Sequence, residues 1–259
     1  MRTLALIAGL LVACGSDRRD SQLPTNANDE GCDDKHARRC VDLGIKYAQG
    51  EGVPKDDAKG LAFSQRGCDA GDQLGCINVA LFYELGRGVP VDAPRAARLY
   101  KTACEGDEPR GCYYLGHMHQ DGYGVRKDEA LAVQLYVRGC LRGSREACRS
   151  LAMEYAEGDV VEQDMQKAIA LYQGACDAGD HPACVNLGVA YQRGNVVPKD
   201  AARAASLYRS ACDAGHALGC TNLAELYFQG KGVELDEAKG QALTDRGCRV
   251  LVPKSPACQ

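Results

Sequence analysis

The 259-residue sequence has no tryptophan, few aromatic residues (6%) and no excess of basic residues. A formal net charge of −4 excludes the broad positive field by which a protein holds nucleic acid or an anionic membrane. The sequence also lacks the long apolar runs of a multi-span membrane protein. Hydrophobic residues make up 45% and charged residues 25%, which is typical of a folded, soluble protein and not of a disordered or collagen-like chain.

The N-terminus has the pattern of an export signal. Arg2 precedes an apolar run over residues 4–13, and the run ends in the letters LVAC at residues 11–14. This ending resembles a bacterial lipobox, in which a peptidase cuts before the cysteine and the cysteine thiol then carries diacylglycerol. The alternative is an ordinary signal peptide in which the position of Cys14 is a coincidence. A lipidated Cys14 makes the lipid bilayer one of the expected partners.

Three segments follow from this pattern. Residues 1–13 are predicted to be a lipoprotein signal peptide, and residues 14–31 a lipidated cysteine followed by a polar, flexible tether. Residues 32–259 are predicted to form the folded domain. Gly15 and Ser16 stand where an aspartate would retain a lipoprotein in the inner membrane. We therefore expect a lipid-anchored bacterial protein of the outer membrane, the periplasm or the cell surface.

The other fourteen cysteines form seven pairs, and the first members of the pairs recur every 36 residues. Within one continuous helix, Cα atoms eight positions apart would be separated by about 12 Å. A disulfide requires roughly 4.4–6.8 Å, so each pair is predicted to cross a turn between two antiparallel helices. The predicted disulfides are Cys32–Cys40, Cys68–Cys76, Cys104–Cys112, Cys140–Cys148, Cys176–Cys184, Cys212–Cys220 and Cys248–Cys258.

Two other roles for these cysteines are less consistent with the sequence. Zinc sites favour two to four residues between ligands, and no C-x-x-C occurs in this chain. Free thiols for a redox role are typical of the cytosol, against which the export signal argues. A glycine lies between the cysteines in five of the pairs, where it fits a helix C-cap in the left-handed conformation: Gly71, Gly143, Gly179 and Gly215, and Gly106 one position earlier in its turn.

The 36-residue period is typical of a solenoid. We number positions from the second cysteine of each pair, so that Cys40 is position 0 of the first repeat. Apolar, small and tyrosine residues at positions +3, +4 and +7 share one face of a helix, which we call helix A. A glycine at +10 ends helix A, and an aspartate at +16, Asp56 in the first repeat, caps the second helix, helix B. Six helix pairs are therefore predicted.

The repeated pattern C-x-x-L-G-x-x-Y-x-x-G-x-G-V-x-x-D, followed by A-x-x-L-Y-x-x-A-C, resembles the Sel-one-like repeat family, a relative of the tetratricopeptide repeats. The period and the paired cysteines resemble its secreted, cysteine-rich branch. The resemblance covers residues 32–258 and implies an all-α, right-handed superhelical solenoid of about six helix-turn-helix repeats stapled by disulfides. Departures are local: His119 replaces the helix A tyrosine, and Ser64 and Thr244 replace the helix B tyrosine.

The resemblance implies an interaction scaffold, although its cysteine-rich branch is often described as β-lactamase or penicillin-binding. The S-x-x-K, K-T-G and S-D-N motifs of serine β-lactamases are missing from this sequence. The histidines of the string His117-Met118-His119-Gln120-Asp121 would lie about 200° apart on helix A and could not face one metal ion. We therefore expect no catalytic residue, no metal and no cofactor; the alternative is a β-lactam-binding protein or a weak β-lactamase.

A binding groove is expected along the helices A. By resemblance to tetratricopeptide repeats, the groove-facing residues fall at positions +1, +5 and +8 or +9. Apolar side chains on such a surface are typical of a groove for a protein or peptide, and the chain is expected to bind one as a monomer. No Lys or Arg pair recurs there, so a clamp for a terminal carboxylate is not predicted. The predicted groove residues are Ile77, Leu81, Leu85, Tyr113, His117, Asp121, Met153, Glu157, Val189, Arg193, Glu225, Phe228 and Gln229.

Overall fold

The structure is a computed structural model that describes residues 32–33 and 35–251, which belong to one compact unit, Gly31–Gln259. Within these residues it contains twelve α-helices and no strand. The predicted signal peptide, the predicted lipidation site Cys14 and the predicted tether lie outside the described residues. Cys258 also lies outside them, so the disulfide Cys248–Cys258 stays a prediction.

The helices alternate between the two predicted kinds. The helices A are α1 (Ala37–Gln49), α3 (Gln73–Leu85), α5 (Pro109–Asp121), α7 (Arg145–Glu157), α9 (His181–Arg193) and α11 (Ala217–Gln229). The helices B are α2 (Asp57–Asp69), α4 (Ala93–Glu105), α6 (Glu129–Leu141), α8 (Met165–Asp177), α10 (Ala201–Asp213) and α12 (Glu237–Leu251). Each helix packs on the next one in the chain, and this stacking in chain order is the solenoid that the sequence predicts.

The predicted ends of the helices are confirmed. In all six repeats the aspartate at +16 accepts a hydrogen bond from a backbone amide in the first turn of helix B; in the first repeat, Asp56 Oδ1 accepts from Lys59 N at 3.0 Å. Each helix A ends at the glycine at +10, which adopts the left-handed conformation, with φ +79° at Gly50. Local chemistry therefore sets where both helices of each repeat begin and end.

Six predicted disulfides are confirmed, with Cα–Cα distances between 4.5 and 4.7 Å. Five of them join the last turn of a helix B to the first turn of the following helix A, and Cys32–Cys40 joins the segment before α1 to the first turn of α1. One turn differs from expectation, because Gly106 has φ −81° and the left-handed residue is Asp107, with φ +65°. Aspartate tolerates this conformation better than most residues, and its carboxylate pairs with Arg142 at 2.6 Å.

The core between the helices depends on the small residue at +4. A Cβ atom added at Gly116 would lie 2.5 Å from Cε1 of Tyr136, and one added at Gly188 would lie 2.5 Å from Cε1 of Tyr208. Both tyrosines come from helices B and are 0% exposed. Their rings therefore lie directly against the backbone of helix A, and position +4 has to be small for the two helices to approach so closely.

Candidate functional site

Three pairs of successive helices A contact each other directly. Direct contacts join α1 with α3, α5 with α7, and α9 with α11. No two helices B make a comparable contact in the part of the chain that the structure describes. The helices A thus lie closer together than the helices B, as on the inner side of a curved solenoid.

The tyrosine at +7 of helix A serves the fold. In five repeats a Lys or Arg at +19 of helix B lies over its ring, with distances to the ring centroid between 4.1 and 5.7 Å. The pairs are Lys59–Tyr47, Arg95–Tyr83, Lys167–Tyr155, Arg203–Tyr191 and Lys239–Tyr227. The third repeat has His119 and Leu131 at these positions, and His119 Nδ1 lies 3.2 Å from the carbonyl oxygen of Arg126. His119 thus takes the place of a structural tyrosine.

A second tyrosine, at +24 of helix B, makes a hydrogen bond to helix A in three repeats. Its hydroxyl group donates to a side chain at position +8 of helix A. The bonds run from Tyr100 to Glu84 Oε2 at 2.5 Å, from Tyr136 to Gln120 Oε1 at 2.7 Å and from Tyr208 to Gln192 Oε1 at 2.8 Å. Burial raises the pKa of Tyr208 to about 12 and also raises the pKa of Tyr100 and Tyr136, so the phenols stay protonated donors at neutral pH.

Two pockets open where position +8 is alanine. The N-terminal pocket, next to Ala48, has a volume of about 130 Å³, and the C-terminal pocket, next to Ala156, has a volume of about 210 Å³. The N-terminal pocket is lined by Gly44, Ile45, Ala48, Gln49, Ser64, Asn78, Leu81, Phe82 and Arg87. The C-terminal pocket is lined by Ala156, Met165, Ile169, Tyr172, Asn186, Val189, Ala190, Arg193, Asn195 and Val196. No motif in the sequence distinguishes either alanine.

Between the two pockets lies a cluster around His117. Its ring meets the rings of Tyr113 and Tyr136 edge-on, with centroid distances of 4.8 and 5.5 Å. Burial lowers the pKa of His117, so the imidazole is neutral at pH 7. Nearby, Arg149 Nε pairs with Asp180 Oδ1 at 3.1 Å, and the Asp180 side chain is only 4% exposed.

Sequence reasoning missed this ion pair. Arg149 occupies position +1 of α7, where the first three repeats carry the apolar or aromatic residues Val41, Ile77 and Tyr113. A charged residue at a position predicted to face the groove is the feature of the sequence that could have indicated the ion pair. The ion pair links helix A of the fourth repeat to the cap of the next helix A, because Asp180 Oδ1 also accepts from the backbone amide of Ala183 at 2.8 Å.

The predicted groove residues differ in the solvent exposure of their side chains. The most exposed are Leu85, Asp121, Met153, Glu157, Arg193, Glu225, Phe228 and Gln229. Leu81, Tyr113, His117 and Val189 are half-buried. Ile77 is 3% exposed and packs in the core of the second and third repeats, so it offers a partner almost no surface. Leu81 lines the N-terminal pocket, while Val189 and Arg193 line the C-terminal pocket.

Among the described residues, no group of three or more His, Cys, Asp and Glu side chains could hold a metal ion. None of the helices over residues 35–251 is both long enough and apolar enough to cross a bilayer.

Comparison with known proteins gives a consistent match along the chain. A family model described as the Sel1 repeat matches residues 40–72, 73–108, 109–144, 145–180, 181–216 and 217–249. The solved structure of a Sel1 repeat protein from Oxalobacter formigenes is similar at 27% identity and a TM-score of 0.75, covering 82% of this chain and 87% of that one. No curated protein matches the sequence.

Two further solved structures have the same architecture. The protective antigen c5321 of uropathogenic Escherichia coli, which displays an SLR fold, is 30% identical with a TM-score of 0.67, covering 82% of this chain and 46% of that one. This chain thus spans about half the length of that antigen. The immunity protein Pa5087 of Pseudomonas aeruginosa is 19% identical with a TM-score of 0.58, covering 83% of this chain and 88% of that one, and it shares the fold.

Proposed function

Because the chain belongs to the Sel1 repeat family, we propose that it is a non-catalytic scaffold that binds a protein or peptide along its helices A. The observation that carries the proposal is the run of exposed apolar side chains on this surface. Leu85 is 59%, Met153 38% and Phe228 42% exposed, and they belong to three different helices A. Apolar side chains recurring along one extended surface are typical of a protein-binding site.

The charged residues of the same surface support a protein partner of mixed polarity. Asp121, Glu157, Arg193 and Glu225 are exposed and alternate with the apolar side chains along the helices A. Exposed charges at the rim of an apolar surface contribute to orientation and specificity more than to affinity. None of the arrangements found in residues 35–251 favours the β-lactam alternative.

The proposed scaffold is exported and anchored by lipid at Cys14. Six disulfides support an oxidising compartment, because structural disulfides are rare in the cytosol. The lipobox-like residues 11–14 support the anchor, and Gly15 and Ser16 favour the outer membrane. Metabolic labelling with radioactive palmitate tests the anchor: label is expected in the full-length chain and not in Cys14→Ser, and an unlabelled full-length chain would refute it.

The binding surface is tested by capture from a bacterial envelope extract. Leu85→Lys and Phe228→Lys place charge on exposed helix A positions and should each weaken capture of the same specific protein at least tenfold. The matched control is Leu141→Lys, because Leu141 is 83% exposed at the end of α6, on a helix B. If Leu141→Lys weakens capture as much as the helix A variants do, or if none of the three does, the partner does not bind along the helices A.

A further inference from the structure

Position +24 of helix B distinguishes the first repeat from the next four. Tyrosine occupies it in the second to fifth repeats, as Tyr100, Tyr136, Tyr172 and Tyr208, whereas the first repeat has Ser64. A phenol ring that four successive repeats share is therefore replaced by a hydroxymethyl group in the first repeat. The N-terminal pocket lies at this place, since Ser64 lines it.

In the fifth repeat, groups from two helices A hold the ring of Tyr208. Gly188, at +4, lies against the ring of Tyr208, and Gln192, at +8, accepts from its hydroxyl group at 2.8 Å. Asn222, at +2 of the next helix A, also hydrogen-bonds to this phenol and thereby opposes the rise in its pKa that burial causes. Asn186 does the same for the tyrosine of the fourth repeat.

The first repeat has the same residue types at two of the positions that surround the tyrosine ring in the fifth repeat. Gly44 occupies +4, and Asn78 occupies +2 of the next helix A. Ser64 is 0% exposed, and its Oγ atom has no hydrogen-bond partner within the described residues; the buried Nδ2 atom of Asn78 has none either. Buried polar atoms without a hydrogen-bond partner are rare, because each costs the free energy of a lost hydrogen bond. Ser64 and Asn78, which carry these two atoms, both line the N-terminal pocket.

One phenol hydroxyl group can satisfy both atoms. Its hydrogen can be donated to Ser64 Oγ while its oxygen accepts from Asn78 Nδ2. The size of the pocket is compatible with a ring, because about 130 Å³ is close to the roughly 150 Å³ of an engineered apolar cavity that binds benzene. Leu81 and the buried Phe82 supply apolar walls.

The charge at the rim of the pocket favours a neutral ligand. Arg87 Nη2 donates to the carbonyl oxygen of Ala48 at 2.7 Å and is also hydrogen-bonded to Asp57. The same guanidinium holds the pKa of the Asp57 carboxyl below its usual value by hydrogen bonding. Because Arg87 is already paired with a carboxylate, it is not available to attract a phosphate or a second carboxylate.

We propose that the N-terminal pocket binds a tyrosyl side chain of the protein partner, with the phenol bound by Ser64 and Asn78. The inference rests on the proposed function, since it names the chemistry by which that partner is recognised. The C-terminal pocket is a different case, because Tyr172 fills position +24 there. A phenylalanyl side chain would fill the N-terminal pocket but would leave both polar atoms without a partner.

The test uses the lipid-free chain from residue 15 onward and ligand-observed NMR with p-cresol, toluene and N-acetyltyrosinamide. p-Cresol is expected to bind about three- to tenfold more tightly than toluene, because its hydroxyl group adds hydrogen bonds. Ser64→Ala should remove that preference. Ser64→Tyr supplies the residue that other repeats use and should abolish binding of all three probes while raising the Tm. Ala156→Gln, which alters the C-terminal pocket, is the matched control and should leave binding unchanged.

Each other result overturns the inference. If p-cresol does not bind, or binds equally to Ser64→Tyr, the pocket does not hold a phenol. If p-cresol binds but N-acetyltyrosinamide does not, the site takes a small phenol and not a side chain. If Ser64→Tyr lowers the Tm, the residues around position +24 of the first repeat do not accommodate a ring. The capture experiment with Leu85→Lys and Phe228→Lys is independent of these results, so the scaffold proposal and the pocket can fail separately.

Discussion

The hydrogen bond from Tyr136 can be removed without removing its ring. Tyr136 is 0% exposed, and its hydroxyl group donates to Gln120 Oε1 at 2.7 Å. Gln120 Nε2 in turn donates to Glu154 Oε1 at 2.8 Å, which makes a chain of two bonds from helix B across two helices A. Tyr136→Phe preserves the packing of the ring against Gly116 and deletes only the first bond of this chain.

The expected cost follows from what the substitution leaves behind. A neutral hydrogen bond contributes about 0.5–1.5 kcal/mol, and an acceptor left unpaired in a buried site adds to the loss. Because Gln120 is half-buried, we expect Tyr136→Phe to lower the free energy of unfolding by about 1–2 kcal/mol. For a chain of this size the Tm should fall by roughly 2–8 °C.

Tyr172→Phe provides the matched control, because the fourth repeat has Ala156 at position +8 and therefore no acceptor there. Its phenol keeps a bond to Asn186, so the expected loss is smaller, about 0.5–1 kcal/mol. Thermal unfolding is followed by far-UV circular dichroism with the disulfides intact, and midpoints are compared because repeat arrays depart from two-state behaviour. A Tm change for Tyr172→Phe equal to or larger than that for Tyr136→Phe would refute the assigned role of position +8.

Two further predictions concern packing and burial. Gly116→Ala places a Cβ atom 2.5 Å from the Tyr136 ring and should destabilise the chain by about 1–3 kcal/mol. Gly174→Ala, at an exposed position of α8 with no heavy atom within 4 Å of the added Cβ, should instead stabilise it by about 0.5–1 kcal/mol. Urea unfolding measures both changes, and changes of the same sign would contradict the packing at +4. Burial raises the pKa of the Glu154 carboxyl above its value in the unfolded chain. The contribution of this carboxyl to the stability of the fold is therefore favourable at acid pH and is lost as the pH rises through the folded-state pKa. Glu154→Gln should therefore raise the Tm at pH 7 more than at pH 4, and the opposite order would show that the carboxylate is stabilised where it lies.

The helices and their ends were predictable because their causes are local. A cap such as Asp56 and a terminator such as Gly50 act on backbone groups within a few residues, so their chemistry can be read from the sequence. The turn between Cys104 and Cys112 shows the limit of this reasoning. Gly106 is the residue with the least conformational restriction there, but the left-handed conformation falls three positions after the first cysteine, as it does at Gly71, and therefore at Asp107.

The candidate site was less accessible to sequence reasoning. The sequence predicts that position +1 faces the groove, yet Ile77 is buried in the core and Arg149 at the same position forms an ion pair with Asp180. The outcome at one position thus depends on the side chains that neighbouring repeats bring against it. Ser64 departs visibly from the repeat, but the sequence alone does not tell whether a smaller residue leaves a pocket or is covered by its neighbours.

The sequence by itself determined the 36-residue period, the six helix pairs and the partners of the six described disulfides, because each of these depends on spacing along the chain and on local backbone chemistry. Only the tertiary structure decided where the helix A surface is open. A pocket arises where helices from two repeats leave space together, as Ala48, Ser64 and Asn78 do, and that space is a property of their packing and not of any one residue.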